Sequence, residues 1–376
     1  MSPGGPLRGP ARVARVTAVG TDDPAERLSA RMRQSTLAWF DVLTVYVGQK
    51  LGLYEALAAA GPLAPPELAA RTGTHPRYVR EWLEQQAVAG LLAVDDVAAP
   101  AGERRYRLPA GHARVLVDRD DPLWQGTRPH SLLPAVRRMP ALLEAFRSGG
   151  GLSHSDQDED ARVAQASLGR VAYLTGMAGW VASMPDVEAR LRREPPARVA
   201  DLGCGAGWSA IALARSFPLA LVDGFDVDRA SIAMAEDNAA ACGVADRVRF
   251  DVRDAADPEL AGRFDLAMVF EALHDMPRPV EALRTLRRLA GPAGAVLVVD
   301  EKTEERFTAP GSDLERFNYG WSVLSCLASG MAGPGAAGTG AVMRPDTLKR
   351  YAAEAGFASV ETLPVPHEGW AFYRLR

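Results

Sequence analysis

Cysteine is scarce in this chain of 376 residues, which contains only Cys204, Cys242 and Cys326. Their spacing fits neither a disulfide framework nor a zinc-binding motif, so the sequence predicts reduced thiols and no metal. No apolar run is long enough to cross a membrane. The first residues also lack the apolar core of a signal peptide. We therefore expect a cytoplasmic protein with no membrane partner.

A large excess of charge of either sign is also missing. The formal net charge is −4, which gives no bulk reason to expect a nucleic-acid partner. Hydrophobic residues make up 47% of the chain and charged residues 24%, the balance of an ordinary globular protein. Its length suffices for two or three domains. Residues 1–22 are rich in glycine and proline without any period, which predicts a disordered tail.

Three glycines alternate in the most informative stretch of the sequence, at Gly203, Gly205 and Gly207. A short β-type run at 198–200 precedes them, and a helix-type apolar run at 211–214 follows. Glycine lets the backbone turn sharply and approach a ligand closely. The helix N-terminus behind the loop offers free N–H groups. This order predicts a nucleotide-type pocket, although the spacing differs from the G-x-G-x-x-G dinucleotide fingerprint.

Further strand-type runs follow at regular intervals, with helix-type segments such as 230–241 and 279–289 between them. This alternation predicts an α/β fold with a doubly wound parallel sheet, whose ligands bind at the carboxyl ends of the strands. Asp226 follows the second strand and can accept hydrogen bonds from both ribose hydroxyls, with Asp228 as a second choice. The remaining strand-type runs are 220–222, 248–250, 264–270, 295–299, 360–363 and 370–375.

Together these motifs resemble those of the class I S-adenosylmethionine-dependent methyltransferases. The resemblance implies a Rossmann-like seven-stranded sheet, S-adenosyl-L-methionine as cofactor and S-adenosyl-L-homocysteine as product. It also implies that the glycine loop borders the amino-acid part of the cofactor and that an acidic residue at Asp254 accepts from the adenine amino group. The predicted cofactor-binding residues are Asp201, Gly203, Gly205, Gly207, Asp226, Val227, Asp254, Ala255 and Glu271.

Residues 23–120 predict a mostly helical winged-helix domain, with a helix, a turn, a second helix and a two-stranded wing. Such a domain can bind DNA, here through Arg77 and Arg80. In the winged-helix small-molecule O-methyltransferases that the chain resembles, it serves instead as a dimerisation module. The acidic net charge, Glu81 and Glu84 on the second helix, and the apolar first helix favour a homodimer without a nucleic-acid partner.

Residues 121–197 predict a helical linker that forms a roof over the substrate, and residues 198–376 the cofactor-binding domain. The segment 302–343 follows the fifth strand and contains a glycine-rich stretch, so it is a candidate lid or substrate wall. For each candidate substrate residue, a place in the core between domains is an alternative interpretation. These candidates are Tyr173, Met177, Trp180, Asn318 and Trp321.

The pair His274-Asp275 follows the fourth strand and resembles the His-Asp pair of the plant-type O-methyltransferases. The resemblance implies that His274 is the general base and that Asp300, or alternatively Glu301, orients it. One position departs from the family. A further acidic residue is common there before an arginine, whereas this chain has Met343 before Arg344. The alternative that His274 only shapes the pocket therefore stays open.

The resemblance covers residues 24–376 and implies methyl transfer to a small, apolar or aromatic molecule, in the manner of natural-product biosynthesis. Oxygen is the favoured acceptor, with nitrogen or carbon behind it. An enzyme of the same fold that uses the cofactor for non-methylating chemistry is one alternative. A ligand-sensing regulator that binds DNA through the winged helix is the other.

Overall fold

A computed structural model describes residues 23–376, so the predicted disordered tail 1–22 lies outside the described residues. The chain divides into two compact units between Pro109 and Ala110. The sequence placed this boundary at 120 and separated 121–197 from the sheet, whereas the structure groups these helices with the sheet in one unit. None of the described helices combines the length and the apolar character that a membrane span requires.

The N-terminal unit contains the predicted helix-turn-helix and a two-stranded antiparallel wing. The first helix begins where the sequence indicates, because the Asp23 carboxylate accepts a hydrogen bond from the Ala25 N–H and Pro24 occupies the first turn. The wing pairs Val94 with Tyr106. The elements are α1 (Pro24–Lys50), α2 (Leu53–Ala60), α3 (Pro65–Thr72), α4 (Pro76–Val88), β1 (Ala93–Val94) and β2 (Tyr106–Arg107).

The C-terminal unit begins with six helices that precede its sheet. They are α5 (Ala110–Leu116), α6 (Arg128–Arg137), α7 (Met139–Ser148), α8 (Glu159–Leu168), α9 (Arg170–Val181) and α10 (Pro185–Leu191). Most of the segment 121–197, where the sequence has helix-type periodicity, is helical.

Seven strands and their connecting helices complete this unit, as the sequence predicts. The first part contains β3 (Arg198–Leu202), α11 (Trp208–Ser216), β4 (Leu221–Asp226), α12 (Arg229–Ala241), β5 (Val248–Val252), β6 (Leu266–Phe270) and α13 (Pro279–Ala290). The second part contains β7 (Ala295–Glu301), α14 (Asp313–Trp321), α15 (Leu327–Gly330), α16 (Pro345–Glu354), β8 (Val360–Thr362) and β9 (Trp370–Leu375).

The strands of this sheet lie in the order β5-β4-β3-β6-β7-β9-β8, and β9 runs antiparallel to both of its neighbours, β7 and β8. The chain adds strands to one side of β3 as far as β5 and to the other side from β6 onward. This change of direction between β3 and β6 places a crevice at their carboxyl ends. Both faces of the sheet are covered. One hydrophobic cluster joins it to α9–α12 and the other to α13 and α16. The central strand β6 is buried along its whole length, as expected of a parallel strand between two helical layers.

The segment 302–343 is more helical than the loop that its composition suggests. It holds α14, a π-type turn at Ser322–Cys326 and α15 before the glycine-rich stretch. The Ala337 N–H donates to the Pro277 carbonyl at 2.8 Å, and the Gly340 N–H donates to the His274 carbonyl at 3.1 Å. These bonds hold the segment against the turn that follows β6, so it forms a wall beside that turn.

A substitution at Gly207 tests the packing of the glycine loop, because this residue has a left-handed backbone conformation and close neighbours. Its φ is +81°, and a Cβ there would lie 2.7 Å from Phe250 Cζ and 2.9 Å from Ala235 Cβ. We expect Gly207→Ala to lower the free energy of unfolding in urea by about 2–5 kcal/mol. The matched control is Gly243→Ala, whose φ is +67° with no atom within 4 Å of the added Cβ. It should lose only about 1–2 kcal/mol, and equal losses in the two variants would contradict the contact argument.

Candidate active site

One cavity of about 2050 Å³ lies at the carboxyl ends of the central strands. The glycine loop and the residues that follow β4, β5, β6 and β7 line one side. Residues of α6, α8, α9 and α14 line the other. The cavity therefore lies where the topology of a doubly wound sheet predicts a ligand, with a helical roof above it.

The glycine loop closes against the end of β4 through its backbone. The Gly203 N–H donates to the Phe225 carbonyl at 2.7 Å. A Cβ at Gly203, whose φ is +71°, would lie 2.9 Å from Ala272 Cβ. The loop therefore needs glycine at this position so that its backbone can face the cavity beside the turn after β6.

Asp226 ends β4 and lines the cavity. Its two carboxylate oxygens accept hydrogen bonds from the Gly205 N–H at 2.8 Å and the Asp228 N–H at 2.9 Å, which fixes the orientation of the carboxylate. Each oxygen keeps a second acceptor position for a ribose hydroxyl. The second choice, Asp228, is occupied elsewhere, because it caps α12 through Ser231 and pairs with Arg162 at 2.7 Å.

Asp201, a predicted cofactor-binding residue, is not among the cavity-lining residues. It is fully buried and accepts a hydrogen bond from the Ser209 hydroxyl at 2.5 Å, which ties β3 to the start of α11. Burial raises the pKa of its carboxyl to about 7, with Asp226 adding to the shift and the Ser209 hydrogen bond opposing it. Asp201 therefore supports the loop from below.

The loop after β5 contributes Asp254 and Ala255 to the cavity, and Val227 joins them from the end of β4. The Asp254 carboxylate is half exposed and pairs with the Arg278 guanidinium at 2.5 Å. An ion pair on the surface is weak, so a ligand can compete with it and donate a hydrogen bond to the Asp254 carboxylate. This group lies beyond Asp226 from the glycine loop, along the line of strand ends β3, β4 and β5.

His274 and Asp300 form a buried pair in the same cavity. His274 Nδ1 lies 2.5 Å from one oxygen of Asp300, and the other oxygen accepts from the His274 N–H at 3.3 Å. The Glu301 N–H donates to the first oxygen at 2.8 Å. Asp300 therefore holds the imidazole through Nδ1 and holds the His274 backbone through its N–H, and Nε2 is the ring nitrogen left for other partners.

Carboxyl groups surround this imidazole. Burial acts to lower the pKa of His274, but Asp300 and Asp275 outweigh it and raise that pKa well above its usual value. Burial raises the pKa of Glu301 to about 7, with Asp300 adding to the shift and His274 opposing it. Burial and Glu301 likewise raise the pKa of Glu271. The neighbouring carboxylates therefore stabilise the positive charge that the imidazole carries once it has accepted a proton.

Glu271 directly follows β6 and lines the cavity. Its φ is +51°, which among the described residues makes it the one non-glycine in the left-handed region. Its Oε1 atom is buried with no hydrogen-bond partner in the described part of the chain. Strain and an unpaired carboxylate oxygen at a cavity wall are typical of a residue that meets a ligand.

The position where the plant-type enzymes have a further acid is filled here by an apolar core residue. Met343 is 3% exposed and packs in the cluster between the sheet, α13 and α16. The following Arg344 pairs with the buried Glu315 at 3.1 Å instead. The second carboxylate beside His274 is Asp275, whose Oδ1 lies 3.3 Å from His274 Nε2.

Three of the five predicted substrate residues, Tyr173, Asn318 and Trp321, line the cavity. Met177 and Trp180 are not among the residues that line it. Both pack in the core beneath the roof, with Met177 0% and Trp180 6% exposed.

Sequence reasoning missed Arg128 and Cys326, which also line the cavity. Arg128 stacks on Phe317 with 4.9 Å between the guanidinium carbon and the ring centre. Neither residue stands in a motif. Only the helical arrangement of 121–197 and of the segment after β7 brings them to this edge of the sheet.

Comparison with known proteins agrees with this geometry. The family described as Methyltransferase domain matches residues 194–353, and the Rv2258c-like winged HTH domain matches residues 41–118. Methyltransferase GfsG of Streptomyces halstedii is 35% identical over 27% of this chain and 37% of its own length. Tocopherol O-methyltransferase of Arabidopsis thaliana is 35% identical over 27% of this chain and 29% of its own length. The chain thus matches well under half the length of these relatives.

Solved structures match over almost the whole chain. The mitomycin 7-O-methyltransferase MmcR has a TM-score of 0.70 at 21% identity, covering 94% of this chain and 99% of that one. Human N-acetylserotonin methyltransferase in complex with SAM has a TM-score of 0.70 at 17% identity, covering 95% and 99%. These likenesses show the fold. The chain therefore carries a methyltransferase domain over residues 194–353, preceded by a winged-helix domain over residues 41–118.

Proposed function

We propose that the protein transfers a methyl group from S-adenosyl-L-methionine to an oxygen atom of a small, apolar or aromatic molecule. The observation that carries this proposal is the His274–Asp300 pair, which lies in the same cavity as the glycine loop and Asp226. A ribose-binding carboxylate, a backbone loop and an oriented imidazole are the groups that this reaction requires.

The residues divide the work between binding and proton transfer. Asp226 accepts from the ribose, the glycine loop borders the amino-acid part, and Asp254 with Ala255 meets the adenine. When bound, the cofactor supplies a methyl group attached to a sulfonium sulfur. Loss of this methyl group leaves S-adenosyl-L-homocysteine, whose sulfur is neutral. His274 Nε2 takes the proton of the acceptor hydroxyl as the oxygen–methyl bond forms and the sulfur–methyl bond breaks. Asp300 holds the imidazole and stabilises the charge that it gains.

The wall of the cavity supports an aromatic or apolar acceptor. Tyr173 stacks on Trp370 with 5.3 Å between ring centres and meets Phe270 edge to face with 5.6 Å between ring centres. All three rings line the cavity near Glu271, and Phe317 and Trp321 line it from α14. Flat apolar surfaces of this kind bind planar molecules through offset and edge contacts.

A matched set of acceptors tests this assignment. Each scaffold is offered as a phenol, as the corresponding aromatic amine and as the methyl ether. We expect S-adenosyl-L-homocysteine to form with a phenol and not with its ether, because the ether has no proton for His274 to accept. Transfer to amines alone would overturn the choice of oxygen, and no transfer with cofactor bound would favour non-methylating chemistry.

The N-terminal unit supports assembly as a homodimer. Leu37, Phe40 and Val47 fall on one stripe of α1, which Leu51 continues just past the end of the helix, and each is at least 40% exposed. On α4, Arg77 pairs with Glu81 at 2.5 Å, so the helix that could enter DNA presents acidic groups as well. An apolar stripe of this kind favours a second copy of the chain over nucleic acid.

Changing this stripe should separate the protomers. We expect wild-type protein at micromolar concentration to have the mass of a dimer in light scattering after gel filtration. The double variant Leu37→Glu and Phe40→Glu should have the mass of a monomer, because burying two carboxylates at an apolar interface is costly. Phe307→Glu, at a site 69% exposed in the other unit, is the control and should remain dimeric. A monomeric wild type would contradict the proposal.

A further inference from the structure

Three side chains with metal-binding atoms converge at the edge of the cavity. They are His274, Asp275 and Cys326, and one ligand atom from each lies within 4.8 Å of the other two. His274 Nε2 and Asp275 Oδ1 are 3.3 Å apart. An imidazole, a thiolate and a carboxylate at this spacing are a ligand set that Zn²⁺ uses.

Two separate segments build this cluster. His274 and Asp275 lie on the short 3-10 turn Leu273–Asp275 after β6, and Cys326 ends the π-type turn Ser322–Cys326. Single π turns are rare and are found most often at functional sites, because the extra residue redirects the side chains around it. The bond from the Gly340 N–H to the His274 carbonyl ties the first segment to the glycine-rich stretch that follows the π-type turn.

The surroundings of the cluster match those of a metal ligand set. Asp300 contacts His274 Nδ1 at 2.5 Å, which leaves Nε2 as the ring atom available for coordination. A buried carboxylate behind a ligating histidine is the usual support of a zinc site. The Asp275 Oδ1 atom is buried, and within residues 23–376 no hydrogen-bond donor pairs with it. An unpaired buried carboxylate oxygen is costly, and a bound cation would remove that cost.

We propose that His274 Nε2, Asp275 Oδ1 and Cys326 Sγ bind one Zn²⁺ ion, with the fourth coordination position facing the cavity. Binding breaks the S–H bond of Cys326 and forms a sulfur–zinc bond, and the proton is released to solvent. Three protein ligands with one open position are typical of accessible zinc sites. The site was not predictable from cysteine spacing, because Cys326 lies far along the chain from the His274-Asp275 pair.

Zinc at this position inhibits methyl transfer, a consequence that rests on the proposed function. The metal occupies the lone pair of Nε2 that accepts the proton from the acceptor hydroxyl. Zinc binding therefore competes with the base, and the inhibition is relieved by a chelator. Metal binding itself needs no acceptor and can be measured on its own, so a failure of the zinc site is distinguishable from a failure of the proposed activity.

Cobalt serves as the probe, because a cobalt–thiolate bond absorbs strongly in the near ultraviolet. We expect full-length protein to develop this absorption with one equivalent of Co²⁺ and to lose it when Zn²⁺ displaces the cobalt. Cys326→Ser should abolish the band, and Asp300→Asn should weaken cobalt binding by about 10- to 100-fold. Cys242→Ser is the matched control, since this half-buried cysteine lies outside the cluster, and it should keep the band.

Circular dichroism confirms that each variant is folded, and Asp275→Asn provides a second test should Cys326→Ser fail to fold. No band in the wild type, or an equal band in Cys326→Ser, would overturn the site. The inhibition is tested by adding Zn²⁺ to the transfer assay, with each protein compared with its own zinc-free rate. Wild type should lose activity on addition of Zn²⁺, and the fractional loss of rate in Cys326→Ser should be at least tenfold smaller. Equal inhibition of both proteins would overturn the regulatory consequence.

Discussion

Replacing His274 by alanine is expected to slow methyl transfer by about 10²- to 10⁴-fold in a single turnover, the range that general-base catalysis contributes. The imidazole is the one group of the cavity whose ring nitrogen is oriented by a buried carboxylate, through the 2.5 Å contact with Asp300. Alanine removes the proton acceptor and leaves the glycine loop and Asp226 in place. Because no contact with the cofactor is lost, the affinity for S-adenosyl-L-homocysteine should stay within about threefold of wild type. This is less than the factor of ten that a loss of about 1.4 kcal/mol would produce.

The control for this variant is His112→Ala, because His112 lies on α5 and does not line the cavity. It should retain the wild-type rate. If His274→Ala keeps near full rate with a phenol that the wild type methylates, His274 is not the base and only shapes the pocket. A large loss of affinity for S-adenosyl-L-homocysteine in the same variant would instead indicate that the substitution disturbs the glycine loop.

The second large effect is expected on cofactor binding, from Asp226→Ala. The Asp226 carboxylate is held by the backbone N–H groups of Gly205 and Asp228 and offers its remaining acceptor positions to the cavity. Two hydrogen bonds from ribose hydroxyls to a charged group contribute about 3–6 kcal/mol together. We therefore expect the dissociation constant of S-adenosyl-L-homocysteine, measured by calorimetry, to rise by at least 100-fold.

Asp223→Ala is the matched control, because Asp223 lies on the same strand, pairs with Arg198 at the other end of β4 and does not line the cavity. The dissociation constant of S-adenosyl-L-homocysteine from Asp223→Ala should match that from the wild type. Unfolding curves of the two variants show whether Asp226→Ala acts through binding or through stability. An unchanged dissociation constant in folded Asp226→Ala would show that the ribose is bound elsewhere.

Most of the sheet domain was predictable, because periodicity and glycine placement depend on local sequence. The predicted strands agree with β3–β9 to within a few residues, and the helix predicted at 279–289 is observed as Pro279–Ala290. The domain boundary and the segment after β7 were less predictable. α14 and the π-type turn occupy a segment in which composition alone suggested a glycine-rich loop.

The site shows the same division between local pattern and tertiary packing. The position of residues that follow strands, such as Asp226 and His274, was predictable because the carboxyl ends of parallel strands lie at one edge of the sheet. Residues on helices were not, because the facing of a helix is set by its neighbours. Met177 and Trp180 follow the same helical spacing as Tyr173 but turn into the core. Cys326 reaches the cavity only through the π-type turn.

Transfer of an isotopically labelled methyl group is the most direct test of the central claim. Wild-type protein is mixed with S-adenosyl-L-methionine whose methyl group carries deuterium, together with the phenols of the acceptor set, and the products are examined by mass spectrometry. The account predicts a product that carries the intact deuterated methyl group on oxygen, formed in equal amount with S-adenosyl-L-homocysteine. Conversion of an acceptor by cofactor-loaded protein without uptake of the label would contradict it.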